Sequence, residues 1–110
     1  MSSPDSLART PSPPYYAMIF TSQRTEGDRG WMDMADRMIE LARQQPGFFA
    51  VESVRGTDGL GITVSYWADK GSITAWKKHV QHQTAQCAGQ RMWYAEYQVR
   101  VALVEQDYGK

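Results

Sequence analysis

The residues of this chain whose types and spacing suit chemistry are concentrated in one predicted helix. Trp76 is followed by His79 and then by His82, with Gln83 directly after it. At about 100° per residue, Trp76 falls on the apolar side of this helix, His79 lies further round and His82 is almost opposite. The His79-x-x-His82 spacing can also place two imidazoles on one metal ion, but no cysteine or carboxylate stands nearby to complete a ligand set. The angles favour a core tryptophan with two surface histidines, and we predict no metal site.

The composition is that of one small domain without a strongly charged partner. The chain has 110 residues and a formal net charge of zero, and its charges are interspersed, so no basic stripe predicts binding to nucleic acid or to anionic lipid. No apolar run approaches the roughly 20 residues of a membrane helix, and the first residues lack the pattern of a signal peptide. The single cysteine, Cys87, excludes an internal disulfide and fits a reducing cytoplasm. We interpret it as a small buried hydrophobe rather than a nucleophile.

The predicted elements repeat one order twice along the chain. Strand, helix and strand are predicted first over 15–22, 30–45 and 48–55, and again over 60–67, 69–87 and 94–104. A short turn containing Gly56 and Gly59 joins the two halves. The resulting β-α-β-β-α-β order predicts an α+β fold, the ferredoxin-like sandwich, over residues 15–105. Residues 1–14 are rich in proline and serine and are predicted to form an extended arm outside this domain, with 106–110 as a short tail.

The first helix has one apolar stripe with helical spacing, formed by Trp31, Met34, Ala35, Met38, Ile39 and Ala42. Asp28 is placed to cap its start. Pro46 and Gly47 end it, because proline cannot continue the hydrogen-bond ladder. In the second helix the corresponding stripe contains Ile73, Trp76, Val80, Thr84 and Cys87.

The strands carry apolar residues on both of their faces. In the first strand Tyr16, Met18 and Phe20 alternate with Tyr15, Ala17 and Ile19, and the last strand places Tyr97, Val99, Val101 and Leu103 on one side. Two helices cover only one face of a four-stranded sheet. The other face is too apolar to be left in water, so we predict a homodimer in which it packs against a second copy.

Several motifs together resemble the antibiotic biosynthesis monooxygenase family. They are Gln45-Pro46-Gly47-Phe48, the strand Ile62-Thr63-Val64-Ser65-Tyr66-Trp67, the helical Ala75-Trp76-Lys77-Lys78-His79 with His82, and Trp93-Tyr94 leading into Tyr97-Gln98-Val99-Arg100-Val101. The resemblance spans residues 15–105. It implies a dimeric α+β barrel, in which two ferredoxin-like sheets pack face to face.

The resemblance also implies a function and a site. Some members are cofactor-independent oxygenases whose substrate, an electron-rich phenol or hydroquinone, reduces dioxygen once it is deprotonated. The protein then supplies a dry cavity, a proton acceptor and hydrogen-bond donors. The implied cavity lies between helices and sheet, with His79 or His82 as proton acceptor. Its implied lining is Trp76, Gln83, Tyr66, Trp67, Trp93 and Arg100. We therefore expect no cofactor and a small aromatic or quinol-like ligand.

Two alternatives remain beside this hypothesis. The haem-degrading branch of the family uses an asparagine in the first strand and an iron-binding histidine ten residues after the helical tryptophan. This chain has Thr21 and Ser22 in the strand and Gln86 at the histidine position, and glutamine is a poor iron ligand. The other alternative is a non-catalytic dimer that binds a small apolar ligand or serves in stress response, because the fold and its tryptophans suit binding as well as catalysis.

Overall fold

The computed structural model describes residues 7–27, 30–86 and 93–110, and for 82–86 it describes only the helical backbone. The predicted element order is confirmed. The strands are β1 (Tyr15–Arg24), β2 (Phe48–Arg55), β3 (Leu60–Trp67) and β4 (Tyr94–Val104), and the helices are α1 (Trp31–Arg43) and α2 (Lys70–Gln86). The chain is thus an α+β protein with a ferredoxin-like arrangement. The predicted bounds of β2, β3 and β4 are correct, whereas β1 continues two residues further, α1 is shorter than predicted and α2 begins one residue later. The predicted end of α2 at residue 87 lies outside the described residues.

The four strands form one antiparallel sheet in the order β2-β3-β1-β4. The register aligns Tyr16 with Trp67 of β3 and with Leu103 of β4, and it aligns Met18 with Ser65 and Val101. Side chains of aligned residues share a face. Because Tyr16, Met18 and Trp67 pack in the core with the helices, the predicted apolar side of β4 lies on the same face of the sheet as the helices. We call this the helix face. Val101 and Leu103 are nevertheless 45% and 48% exposed there.

The helix ends are set by local chemistry. Helix α1 begins after Gly30, which has a φ of 84° and supplies no side-chain cap; the predicted cap, Asp28, lies outside the described residues. Asp69 caps α2, since its carboxylate accepts a hydrogen bond of 2.7 Å from the backbone N–H of Ser72. That bond lowers the pKa of the Asp69 carboxyl. Gly47 follows α1 with a φ of 83°, and a Cβ there would lie 2.1 Å from Ser72 Oγ, so only glycine fits.

The core lies where both helices meet the end of the sheet that contains the start of β1 and the end of β3. Its buried members are Ala42, Trp67, Ile73 and Trp76, against which Tyr16, Met18, Met38, Leu41, Phe48 and Val80 pack. These residues include the predicted apolar stripe of α2 as far as Val80 and the helix-facing side of β1. Thr84 and Cys87, the predicted continuation of that stripe, lie outside the described side chains. No helix in the described part of the chain is long and apolar enough to cross a membrane.

The opposite face of the sheet is partly covered by the two ends of the described chain. The backbone N–H of Ala8 points to a Glu52 carboxylate oxygen at 3.4 Å, and Thr10 donates a 3.1 Å hydrogen bond to the Tyr15 hydroxyl. The same hydroxyl donates to Asp107 in the tail. Further along this face, apolar side chains are exposed, with Val54 71%, Leu60 49% and Ile62 42% accessible. The described part of the predicted arm therefore contacts the domain of its own chain.

Candidate functional site

Three aromatic side chains form a column between α2 and the helix face of the sheet. The rings of Trp67 and Trp76 lie 6.0 Å apart at an angle of 30°, and those of Trp76 and His79 are stacked at 5.6 Å and 24°. Trp67 is fully buried and Trp76 is 7% exposed. Phe48 adds an edge-on contact to Trp67 at 5.3 Å. The structure thus brings together three of the predicted site residues, Trp67, Trp76 and His79.

His79 has an unusual place in this column. The ideal helix predicts a surface position, yet the imidazole is only partly exposed and its Nε2 atom is buried without a hydrogen-bond partner among the described residues. A buried polar atom without a partner costs free energy, so such atoms are uncommon unless a ligand or water completes them. The stacking on Trp76 explains why the ring turns inward. Among the described residues, the hydrogen-bonding capacity of Nε2 is therefore unused.

Beneath the column, the middle of the helix face is polar. Ser65 accepts a 2.9 Å hydrogen bond from the indole Nε1–H of Trp67, which fixes that indole. Thr63 shares a 2.7 Å hydrogen bond with Ser53 on the neighbouring strand. Neither hydroxyl was among the predicted site residues, although both alternate with apolar positions in β3. This row of hydroxyls gives the inner surface hydrogen-bonding capacity beside apolar Met18 and Phe20, which the register places next to it.

The predictions for His82 and Gln83 concern side chains outside the described part of the structure. Their backbone belongs to α2, which is helical without interruption from Lys70 to Gln86. The roles assigned to them remain predictions. Within the described side chains, no three histidine, cysteine, aspartate or glutamate residues come together as a metal site.

Two predicted site residues, Tyr66 and Arg100, lie on the other face of the sheet. Tyr66 is aligned with Ala17, and Arg100 is aligned with Ile19 and exposed. The Tyr66 hydroxyl donates a 2.7 Å hydrogen bond to Glu52. Burial, and then this bond to a carboxylate, raise the pKa of the Tyr66 phenol. Neither residue is therefore placed on the same face as His79.

Tyr66 instead borders a groove of about 490 Å³ between the arm and the tail. Its other lining residues are Leu7, Ala8, Arg9, Thr10, Tyr15, Glu52, Asp107, Tyr108 and Gly109. Tyr15 packs edge-on against Tyr66 at 5.8 Å. The hydrogen bond to Asp107 is the main cause that raises the pKa of the Tyr15 phenol. The lining of the groove thus combines tyrosine rings with the charged side chains of Arg9, Glu52 and Asp107.

Trp93, the remaining predicted site residue, is buried at the far end of β1. Its carbonyl accepts hydrogen bonds from Thr25 N–H at 2.8 Å and from Arg24 Nη1 at 3.0 Å. Arg24 is eight positions along β1 from Tyr16, which corresponds to roughly 25 Å of extended strand. Trp93 is thus distant from the tryptophan column and adjoins a second group of aromatic and arginine side chains.

With this fold and site in view, the chain can be placed among known proteins. The family model for antibiotic biosynthesis monooxygenases matches residues 14–88, so the chain belongs to the antibiotic biosynthesis monooxygenase family. It is 52% identical over 101 residues to YqjZ, an uncharacterized protein of Bacillus subtilis (strain 168), covering 92% of this chain and 89% of YqjZ.

Solved structures share the fold at low sequence identity. SnoaB, a cofactor-independent oxygenase from Streptomyces nogalater, superposes with a TM-score of 0.70 at 14% identity, over 89% of this chain and all of SnoaB. PA3566 from Pseudomonas aeruginosa gives a TM-score of 0.66 at 10% identity, over 84% of this chain and 96% of PA3566. At such identities the likeness establishes the common fold.

Proposed function

We propose that this protein is a cofactor-independent monooxygenase that oxidises a small aromatic or quinol-like compound. The observation that carries the proposal is the buried Nε2 of His79, which has no described partner and lies against Trp76. A phenol or an acidic methylene of a substrate would supply the missing partner. Family membership and the SnoaB fold support the same class of reaction.

The proposed reaction needs no outside reductant. His79 Nε2 accepts a proton from the substrate, and the resulting anion transfers an electron to dioxygen. For a methylene between two aromatic rings, recombination forms a carbon–oxygen bond, and the O–O bond then breaks. One oxygen atom becomes the carbonyl of the product. The other leaves as water with the two hydrogens lost from the methylene, so atoms and electrons balance.

Each described residue of the column has a part in this proposal. Trp67 and Trp76 make the surroundings of the imidazole apolar, and the stacking on Trp76 keeps His79 turned inward. Ser65 and Thr63 lie on the same sheet face and can donate hydrogen bonds to developing negative charge on the substrate oxygen. We also keep the predicted roles of His82 as a second proton acceptor and of Gln83 as a residue whose amide holds the substrate oxygen.

The test is oxygen consumption with a panel of anthrones and dihydroxyaromatics. On a substrate that is turned over, His79→Ala should lower the rate by about 10²-fold or more, the usual scale for losing a general base. Lys78→Ala, an exposed neighbour in α2, is the matched control and should keep the full rate. If His79→Ala and His82→Ala both turn over such a substrate at the unmodified rate, the histidine-base mechanism is wrong.

We also propose a homodimer formed through the face opposite the helices. The exposed Val54, Leu60 and Ile62 on that face support it, since an apolar sheet face is stabilised by burial against a second copy. The single cysteine supports a reducing compartment, and we propose the cytoplasm. The non-catalytic alternative is supported by the groove bordered by Tyr66, which suits a small ligand without requiring His79.

A further inference from the structure

A second cluster of aromatic and cationic side chains lies at the end of the sheet where α1 begins. The guanidinium carbon of Arg24 is 4.3 Å from the centre of the Trp31 ring, and that of Arg55 is 5.2 Å away. Trp31 donates a 2.9 Å hydrogen bond from Nε1 to the hydroxyl of Tyr94. Arg55 also lies 6.0 Å from the Tyr94 ring. Two positive charges therefore share one aromatic surface.

The hydrogen bonds that these two arginines make to described residues all go to neutral acceptors. Arg55 donates to Ser22 Oγ at 2.8 Å and to the carbonyls of Ser22 and Gly59. Arg24 donates to the carbonyls of Thr25, Gly27 and Trp93. A guanidinium has five N–H donors, so each arginine has donors left over after its three bonds to described residues. Within the described residues no carboxylate forms an ion pair with either arginine.

The position of Arg55 is built into the sheet. Gly61 pairs with Ser22 on one side and Arg55 on the other. A Cβ at Gly61 would lie 2.6 Å from the guanidinium carbon of Arg55 and 2.9 Å from its Nε. The missing side chain of Gly61 thus provides the space for the guanidinium. Burial, with the positive charge of Arg24 as a smaller cause, lowers the pKa of Arg55. The fold thus places two like charges on one aromatic surface, where an anion would be attracted by both.

Aromatic rings border the cluster on the β1 and β4 side. Phe20 lies 5.4 Å from Tyr94 in an edge-on contact and 5.5 Å from Tyr97. Tyr97 is 44% exposed, so this side is accessible from solvent. If a ligand placed its anionic group at the arginines from this side, the rest of the ligand would contact these aromatic rings.

We propose that Arg24 and Arg55 form a binding site for the carboxylate of a small aromatic acid, with Phe20, Tyr94 and Tyr97 in contact with its ring. A carboxylate matches the N–H donors that no described residue takes, and its negative charge offsets one of the two positive charges. The rings favour an aromatic acid over a purely inorganic anion. This site does not depend on the monooxygenase proposal, because its occupancy is measured without turnover.

The first test uses the unmodified protein and benzoate as the probe. Calorimetric titration should show saturable binding with a millimolar or lower Kd. Methyl benzoate, which lacks the charge, and inorganic phosphate, which lacks the ring, should each bind at least about tenfold more weakly. In NMR spectra the indole N–H signal of Trp31, identified by its loss in Trp31→Phe, should shift with benzoate, while the Trp67 signal should not.

The second test uses substitutions. Arg24→Gln and Arg55→Gln should each raise the Kd for benzoate about tenfold or more, since each removes a charge-assisted contact. Arg43→Gln removes a charge from the exposed last turn of α1 and should leave the Kd unchanged. Arg55→Lys retains the charge but lacks the planar guanidinium group with its paired N–H donors, so it should also weaken benzoate binding.

Several results would overturn the proposal. They are the absence of saturable benzoate binding to the unmodified protein, equal binding of phosphate or methyl benzoate, and an unchanged Trp31 signal at saturation. If the arginine substitutions prevent folding, the calorimetric and NMR results on the unmodified protein still decide the question.

Discussion

Replacing Trp76 tests the aromatic column on which the proposed site depends. The side chain is 7% exposed, and a tryptophan buries about 200 Å² of surface. At about 25 cal/mol per Å², this burial corresponds to an upper value of about 5 kcal/mol. Trp76→Ala also removes the ring contacts with Trp67 and His79, and measured truncations of buried tryptophans cost about 3–5 kcal/mol. We expect a loss in this range.

Such a loss would be a large fraction of the total stability, since small domains unfold at a cost of about 5–15 kcal/mol. The assay is urea-induced unfolding followed by circular dichroism, at one protein concentration because assembly shifts the midpoint. Trp76→Phe keeps an aromatic ring and should lose less than Trp76→Ala. Lys77→Ala, on the exposed side of the same helix turn, is the control and should change the free energy of unfolding by no more than about 0.5 kcal/mol.

A result near that of the control would refute the reasoning. If Trp76→Ala lowers the free energy of unfolding by less than about 1 kcal/mol, the column does not hold α2 on the sheet as described. The inward position of His79 would then lack its structural cause.

Three further predictions concern pH and assembly. The pKa of Asp69 is lowered by its bond to Ser72 N–H, so its contribution to stability is present above pH 3.8 and is lost on acidification. Between pH 5 and pH 2.5, the melting temperature of Asp69→Asn should therefore fall less than that of the unmodified protein. The pKa of Tyr66 is raised by burial and by Glu52, so its contribution to stability is present below pH 10 and is lost as the pH rises further. In urea unfolding, the free energy of unfolding should fall less from pH 9 to pH 11 for Tyr66→Phe than for the unmodified protein. Light scattering at micromolar concentration should give a dimer mass for the unmodified protein and monomers or insoluble chains for Ile62→Glu, while a well-folded unmodified monomer would refute the barrel assembly.

The fold could be predicted from sequence because its signals are local. Alternation in the strands and the apolar stripe from Trp31 to Ala42 follow from periods of 2 and 3.6 residues, which depend on near neighbours only. The register then decides which apolar side of β4 faces the helices, and this is a long-range property. Val101 and Leu103 lie on the helix face because they align with Met18 and Tyr16. Alternation alone left that assignment open.

The site was predictable only in part, for a related reason. Trp67 and Trp76 belong to the apolar pattern, so their meeting in the core follows from it. The inward turn of His79 depends on stacking with Trp76, which an ideal helical wheel does not contain. The Arg24–Arg55 cluster depends on Gly61, whose missing side chain makes room for a residue of the neighbouring strand. An arginine at the end of a strand opposite a glycine is the signal that could have indicated it.

Hydrogen bonds to a single hydroxyl group hold the arm and the tail of the described chain close together. Thr10 and Asp107 both hydrogen-bond to the hydroxyl of Tyr15. A short peptide linker could therefore join these two segments, and new ends could be opened in the Gly56–Gly59 turn between the two halves. Such a circular permutant would begin with the β-α-β unit that contains the tryptophan column. Its folding during synthesis would show whether that half of the molecule can fold before the other half has been made.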